Sequence, residues 1–270
     1  MKSKAHQRII REQKAKEKAS LGLFSDKPDE INLQKTKIRQ INYQTAEKII
    51  LEYEWLGTMP TYSTHYFGIY FDGVCGGVVV FGIGIPKNVL EDICGKEHLH
   101  QIRVLTRGAC VHWTPKGTAT KLIGNALKLL KKEGYKIVVA YSDVRAGEIG
   151  TIYQACNFLY TGSSVGGSEV LVNGKWRTRM PRIIKEKKLN VKNLPSRKRS
   201  LKHRYIYLMG TRKEIKELKK KLRYKILPYP KRSDAVEVSR EIHTNSISEG
   251  EGQYLDTAQE LLKEIKNARI

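Results

Sequence analysis

Apolar and polar residues alternate through TKIRQIN, residues 36–42, the period-two signature of a strand with one buried face. The next stretch, TAEKIILEYEW, changes period: Ala46, Ile49, Ile50 and Tyr53 recur at helical spacing and predict a helix with one apolar stripe. Two runs rich in β-branched and aromatic residues, HYFGIYF and VCGGVVVFG, flank Asp72-Gly73. That dipeptide tolerates positive φ at both central turn positions, so the pair reads as an antiparallel hairpin. QIRVLTRGACVHW supplies a third strand. After Thr114-Pro115, the segment KGTATKLIGNALKLLKKEGY carries Leu122, Ile123, Ala126, Leu127 and Leu130 on one helical stripe and stops at Gly134. KIVVAYS is then apolar almost without interruption, as suits a strand buried on both faces and paired in parallel.

Downstream, the pattern predicts a helix from about Glu148 to Cys156, a strand in FLYTG, a hairpin in EVLVNGKWRTR turning at Asn173-Gly174, and a late strand in LKHRYIYLMG. TRKEIKELKKKL reads as a basic helix, SISEGEG as an exposed linker, and a last helix spans about Tyr254 to Asn267. This order places an antiparallel hairpin and a βαβ crossover in one sheet, so the chain is α/β with a mixed sheet. Four segments follow from composition. Residues 1–33 form a basic arm whose first twenty residues are a charged helix or a tail that orders only on a partner. Residues 34–164 are the core, 165–232 a basic extension of the same globule, and 233–270 an acidic linker with a C-terminal helix. No internal repeat occurs.

Charge sharpens this picture. Lys plus Arg number 50 against 27 Asp plus Glu, a net of +23. The stretch from Lys175 to Arg232 alone holds 23 Lys or Arg against three Glu, and a surface so charged repels itself unless a polyanion lies on it. The expected partner is nucleic acid, double-stranded DNA in the reading developed below. Lys198, Arg199, Lys202 and Arg204 are its expected contacts, with Trp176, Tyr205, Tyr207, Tyr224 and Tyr229 interleaved where they can stack on bases. No helix-turn-helix or zinc-finger signature accompanies them. The four cysteines, Cys75, Cys94, Cys110 and Cys156, form no C-x-x-C pair, which points to a reducing compartment. The N-terminus lacks an apolar h-region and no 18-residue apolar run occurs, so a cytoplasmic protein with no membrane partner is expected. Of the seven histidines only His98 and His100 lie close in sequence, and no metal site is expected.

Candidate chemistry is densest in YSDVRAGEIGTIYQACNFLYTG. Asp143 falls just past the carboxyl end of the buried strand, where open α/β sheets place ligands, and it is either a base or orienting acceptor or a loop carboxylate capping a turn. Gly147 and Gly150 open a helix whose first N–H groups could face an anion. Tyr153 and Asn157 fall one helical turn apart, beside Gln154, as a site wall or as satisfied core polars. His112 and Trp113 flank the turn before the Leu122 helix; each lines a pocket or is structural.

The run from Tyr62 to Gly162 resembles the Mom-type phage DNA-modification proteins of the GNAT superfamily of N-acyltransferases. The likeness is carried by FGIYFDGVCGGVVVFG, LTRG, the Thr-Pro-Lys-Gly turn into a helix and YSDVRAGEIGTIYQACNFLYTG, with KHRYIYLMG and LPYPKRSD behind them. It implies a GNAT-like mixed sheet with antiparallel N-terminal strands, a splayed parallel pair and flanking helices. It also implies transfer of a small acyl-derived group to the N6 amine of adenine in DNA, shielding phage or mobile-element DNA from restriction. By position, Arg107, Asp143 and Tyr153 would be the functional residues, with His65 at the hairpin entry.

The implied donor is acyl-CoA, acetyl-CoA in the simplest case. GNAT enzymes cradle its pyrophosphate with a Gln/Arg-x-x-Gly-x-Gly/Ala turn, whereas this chain has Pro115, Lys116, Gly117, Thr118, Ala119 and Thr120 there. The helix-start N–H groups and the Lys116 ammonium remain available for phosphate. A base inside a duplex must leave the stack to be modified, a cost of a few kcal/mol that the basic flank would offset. Two other readings use the same sequence: an acyltransferase acting on RNA or tRNA, and a non-catalytic DNA-binding protein on a GNAT scaffold.

Overall fold

A computed structural model describes residues 5–20, 27–164, 168–172, 175–178 and 194–231. The chain opens with helix α1 (His6–Ser20), strand β1 (Lys37–Gln40) and helix α2 (Tyr43–Tyr53). The hairpin β2 (Ser63–Phe71) and β3 (Val74–Gly82) follows, with Asp72 at φ 41° and Gly73 at φ 81°, the positive pair the sequence demands. Helix α3 (Lys87–Cys94) and a 3-10 turn (Lys96–Gln101) lead into β4 (Ile102–Cys110). Next come α4 (Thr118–Lys132), β5 (Ile137–Asp143), a 3-10 turn (Val144–Ala146), α5 (Thr151–Ala155) and β6 (Leu159–Ser164). Strands β7 (Ser168–Val172), β8 (Lys175–Thr178), β9 (Ser196–Lys198) and β10 (Lys202–Leu208) precede helix α6 (Arg212–Lys221).

Seven strands form the main sheet in the order β1-β2-β3-β4-β5-β10-β6, antiparallel throughout except for β4 and β5. This is the mixed sheet expected, and the basic run supplies one of its interior strands. β10 lies between β5 and β6 and is antiparallel to both, so β6 does not touch β5. A second sheet has the order β8-β7-β9. Val172 pairs with Lys175 across residues 173–174; that turn lies outside the described residues, as do the SISEGEG linker and the helix expected near the C-terminus.

Alternation along the strands gives the sheet two apolar faces. Phe67, Val79, Phe81, Leu105, Val138, Ala140 and Tyr205 pack with Leu122, Ala126 and Leu130 of α4. Val104, Ile137, Val139, Ile206 and Leu208 pack with Leu90 and Ile93 of α3 and Leu218 of α6. Beside them Val78, Val80, Ala109 and Val111 carry the α2 stripe of Ala46, Ile49, Ile50 and Tyr53 predicted from spacing. The chain up to Tyr229 forms one compact unit; the unit beginning at Pro230 lies almost wholly outside the described residues.

Two expectations for the basic flank change. Tyr205 is fully buried and half-buried Tyr207 packs on the same core, so neither is free to stack on a base. Arg204 is only 6% exposed: its Nε donates to Thr161 Oγ1 and its Nη2 to the Thr161 carbonyl, while the guanidinium lies 3.3 Å from the Tyr224 ring centroid. β10 is an interior strand covered on both faces, so consecutive residues from His203 to Ile206 are buried whatever the charge density of the run, and Arg204 is a paired core cation, not a phosphate contact.

Gly150 is where this core meets the Asp143 end of β5. Its φ is +70°, and a Cβ there would lie 2.3 Å from Tyr205 Cε2. Gly150→Ala is expected to cost about 3 kcal/mol in urea unfolding, from strain plus clash. Gly134→Ala, at φ +92° with open space around it, should cost only about 1 kcal/mol.

Candidate active site

The parallel ladder between β4 and β5 runs from Ile102↔Ile137 to Leu105↔Ala140 and stops. On its other edge β4 slips register, Val80 pairing with Arg107 and Phe81 with Leu105, so Thr106 is the extra residue of a bulge. A bulge bends its strand, while β5 stays laddered to β10 as far as Asp143↔Lys202. Past residue 105, β4 and β5 therefore expose edges that no strand fills. Ser142, on the α4 face of β5 with Val138 and Ala140 and paired with His203 of β10, is 1% exposed and its hydroxyl has no hydrogen-bond partner among the described residues.

Acidic groups converge on the gap. Arg107 shares its sheet face with Val80 and reaches the end of α2: its Nε donates to the Thr58 carbonyl at 2.9 Å and lies 3.7 Å from Glu54 Oε2. The Glu54 side chain is 7% exposed; burial raises its pKa, opposed by the charge of Arg107 and by the Leu56 N–H, which donates to Oε2 at 2.8 Å. Glu148 sits in the loop between Gly147 and Gly150, both in the left-handed region, and its N–H donates to the Asp143 carbonyl. Burial first, then the nearby carboxylates of Glu54 and Asp143, pushes Glu148 up to about 7. Half-buried Tyr153 has its phenol pushed well above the ordinary range by burial, then by Glu148 and Glu54, and its hydroxyl faces the Tyr141 carbonyl at 3.5 Å.

Asp143 is held rather than free. Its Oδ1 accepts from the Arg145 N–H at 3.0 Å and the Ser200 hydroxyl at 2.7 Å, capping the 3-10 turn. Glu54 and Asp143 both act on Glu148, Glu148 and Glu54 both act on Tyr153, and Arg107 pairs with Glu54, so these five groups form one electrostatic cluster beside the gap. Cations rim it: Arg145 donates to the Lys198 carbonyl at 2.8 Å, and burial together with the charge of Arg197 lowers its pKa. Lys198 and Lys202 are exposed and Arg199 is half-buried on the same segment.

Other expected site residues lie elsewhere or are already engaged. His65 is on the α4 face of β2, its Nε2 2.9 Å from Glu133 Oε2 and its Nδ1 2.7 Å from Thr64 Oγ1, and burial lowers its pKa against the pull of Glu133. Three strand spacings, about 14 Å, separate β2 from β5, so His65 is not brought to Asp143. α5 is only five residues long and ends before Asn157, which is exposed at φ 60°; Tyr153 and Asn157 share no helical face. Gln154 donates to the Ile149 carbonyl and the Tyr205 hydroxyl, the satisfied core polar. His112 stacks on Tyr53, whose hydroxyl lies 3.1 Å from its Nδ1. Among the described residues no group of three or more His, Cys, Asp or Glu is arranged to hold a metal ion.

The turn into α4 has Gly117 in the left-handed region as N-cap, with no side chain capping the helix. Lys116 and Gly117 are exposed, Ala119 and Thr120 half-buried, and the buried Thr118 turns its hydroxyl onto the Pro115 carbonyl. Helix-start N–H groups have no partner within their own helix; here the Thr118 N–H bonds the Pro115 carbonyl, and the rest of this turn with exposed Lys116 would suit the phosphates of an acyl-CoA whose uncharged arm would lie along the unpaired strand edges.

Sequence reasoning missed Glu54 and Glu148. Glu148 was legible as an acid between two glycines in the densest run; Glu54 carried no signal, since only the fold brings the end of α2 to β4. At pH 8 the buried Glu148 carboxylate is ionised at a cost, because its folded pKa lies above a carboxyl's ordinary 4.5. Stability from this group therefore falls as pH rises from about 4.5 through about 7. Glu148→Gln is expected to raise the melting temperature at pH 8 by several degrees, about 3 °C per kcal/mol relieved, and to leave it nearly unchanged at pH 4.5.

A family model described as the Mom protein family matches residues 35–231. No curated relative matches the sequence. Similar solved structures include a Bacillus subtilis acetyltransferase in complex with CoA, at 12% identity and TM-score 0.40, covering 65% of this chain and 100% of the other. A GNAT-family acetyltransferase from Streptococcus pneumoniae has 13% identity and TM-score 0.40, covering 65% and 100%. An N-acetyltransferase from Staphylococcus aureus has 10% identity and TM-score 0.39, covering 64% and 97%. The family match takes in every strand of both sheets and the whole opening between β4 and β5, and the chain belongs to the Mom protein family.

Proposed function

We propose that the chain transfers an acyl-derived group from acyl-CoA to the N6 amine of adenine in double-stranded DNA. The observation that carries the chemistry is the convergence of Glu54, Asp143, Glu148, Arg107 and Tyr153 on the gap where the β4–β5 ladder stops. Family membership and the cations beside Asp143 support this target.

Acyl transfer to an amine needs a group that takes the amine proton and a donor for the departing thiolate. Glu148, at about 7, is poised near neutral pH to accept that proton. Tyr153, pushed above the ordinary phenol range, keeps its own proton and would offer a hydrogen bond to the departing sulfur. Asp143, fixed by Arg145 and Ser200, orients the mouth, and Arg107 holds Glu54 in place across the gap. When bound, acyl-CoA supplies the activated carbonyl; Lys116 and the Gly117–Thr120 helix start would hold its phosphates. Arg145, Lys198, Arg199 and Lys202 would grip DNA phosphates while the base swings out of the stack.

Nucleoside mass spectrometry of DNA from cells expressing the protein tests this directly: the expected product is deoxyadenosine with added mass, and product on RNA alone would overturn the reading. Glu148→Gln should cut product about 10²–10³-fold while leaving duplex affinity unchanged. The wild-type rate should rise with pH along a limb near 7, because the base acts only once deprotonated. Lys198→Ala with Lys202→Ala should lower the salt slope of DNA binding by about 2, one for each phosphate left without its cation.

A further inference from the structure

Helix α1 precedes the residues that the family model matches, and it has no buried residue. It docks through polar contacts. Gln7 Nε2 donates to the Tyr53 carbonyl at 2.5 Å and its Oε1 accepts from the Trp55 N–H; the His6 ring meets Trp55 edge-on at 5.7 Å, and Lys18 lies 3.7 Å from Glu52. All of these anchor α1 to α2 and the chain just after it. Arg11 reaches further. Its Nη2 donates to the carbonyls of Val111, His112 and Thr114 at 3.2, 3.2 and 2.9 Å and lies 3.2 Å from Thr114 Oγ1.

Those carbonyls belong to the four residues joining the end of β4 to the Pro115–Thr120 turn. On the other side of that turn, Lys121 Nζ donates to the carbonyls of Leu33 and Gln34, and Leu33 Cδ2 would touch a Cβ at Gly117. The turn is thus held from both sides by chain that precedes β1. We propose that α1 is a strap that presets this turn for the donor's phosphates, with Arg11 as its positioning residue; this rests on the acyl-CoA reading above. The physical ground is preorganisation. A guanidinium that collects three carbonyls fixes the conformation of a short connection, and with it the direction in which α4 starts; the Thr118 N–H bonds the Pro115 carbonyl, so the following N–H groups of the first turn are the ones that would face an anion. A turn ordered beforehand does not lose that freedom when the ligand binds.

The test measures coenzyme A binding to the full-length protein by calorimetry, alongside duplex DNA affinity. Arg11→Ala is expected to weaken coenzyme A binding about tenfold, with DNA affinity and the Glu148 pH limb unchanged. Arg11→Lys, which keeps the charge but reaches fewer carbonyls, should recover part of the loss. Arg8→Ala, on the same helix and paired with Glu12 at an exposed position, should change nothing. Wild-type-like coenzyme A binding in Arg11→Ala overturns the strap, as does a parallel loss of coenzyme A and DNA binding in both Arg11 variants, which would mark a purely structural role. Failure of the wild-type protein to bind coenzyme A, with or without duplex DNA, overturns the donor reading instead.

Discussion

The structure depends on one interruption in a hydrogen-bond ladder. Strands β4 and β5 pair in parallel for four residues and then part, because Thr106 is an extra residue in β4 and turns it, while β10 keeps β5 on its own line through seven paired positions. Unpaired backbone inside a sheet is costly unless something satisfies it. The same interruption supplies both the opening and the unmet hydrogen-bonding capacity that makes it a place for an extended ligand. Three groups of the proposed chemistry stand beside it: Arg107 one residue beyond the bulge, Asp143 at the last position of β5, and Tyr153 with its hydroxyl against the Tyr141 carbonyl.

Much of the scaffold was legible because it is written in local periods. The hairpin at Asp72-Gly73, the α2 and α4 stripes and the apolar β5 each follow from spacing within about a dozen residues. What was not legible is pairing between distant segments. Nothing in KHRYIYL says that it enters between β5 and β6, and the cations around it disguised Tyr205 and Arg204 as surface residues when the sheet buries them. α3 and the 3-10 turn after it were missed because VLEDICGKEHLH breaks its own apolar period at Gly95, which adopts φ 94°. The helix expected from about Glu148 to Cys156 forms only over Thr151–Ala155, because Gly150, in the left-handed region, starts it late and the chain turns out at Asn157.

The site divides the same way. Asp143, Tyr153 and Arg107 lie in strands or beside them, and strand position carries over with family likeness. His65 carries over by the same logic and yet points to the opposite face, into a pair with Glu133, since neighbours in one sheet share a site only when their side chains share a face and a strand edge. Glu54 was beyond reach because a residue at the end of α2 meets Arg107 only after α2 has packed across β3 and β4.

Charge placement explains how the proposed substrate could be sorted at this opening. Three carboxylates stand around the gap, close enough that Glu54 and Asp143 raise the pKa of Glu148, so the interior is hostile to another anion. The rim is the reverse, with Arg145, Arg197, Lys198 and Lys202 gathered where β5 ends and β10 begins. A nucleotide carries its charge on the phosphate and none on the base. A field that attracts outside and repels inside would hold the backbone at the rim and admit only the neutral base, which is the part bearing the amine. The two sets of charge act at different ranges: the cations through solvent, weakened by salt, and the carboxylates within a partly desolvated gap where salt screens little. Salt should therefore loosen the grip on the duplex long before it alters the proton affinity of Glu148, and a chemical step measured on bound complexes would keep its pH limb at ionic strengths where affinity has already fallen.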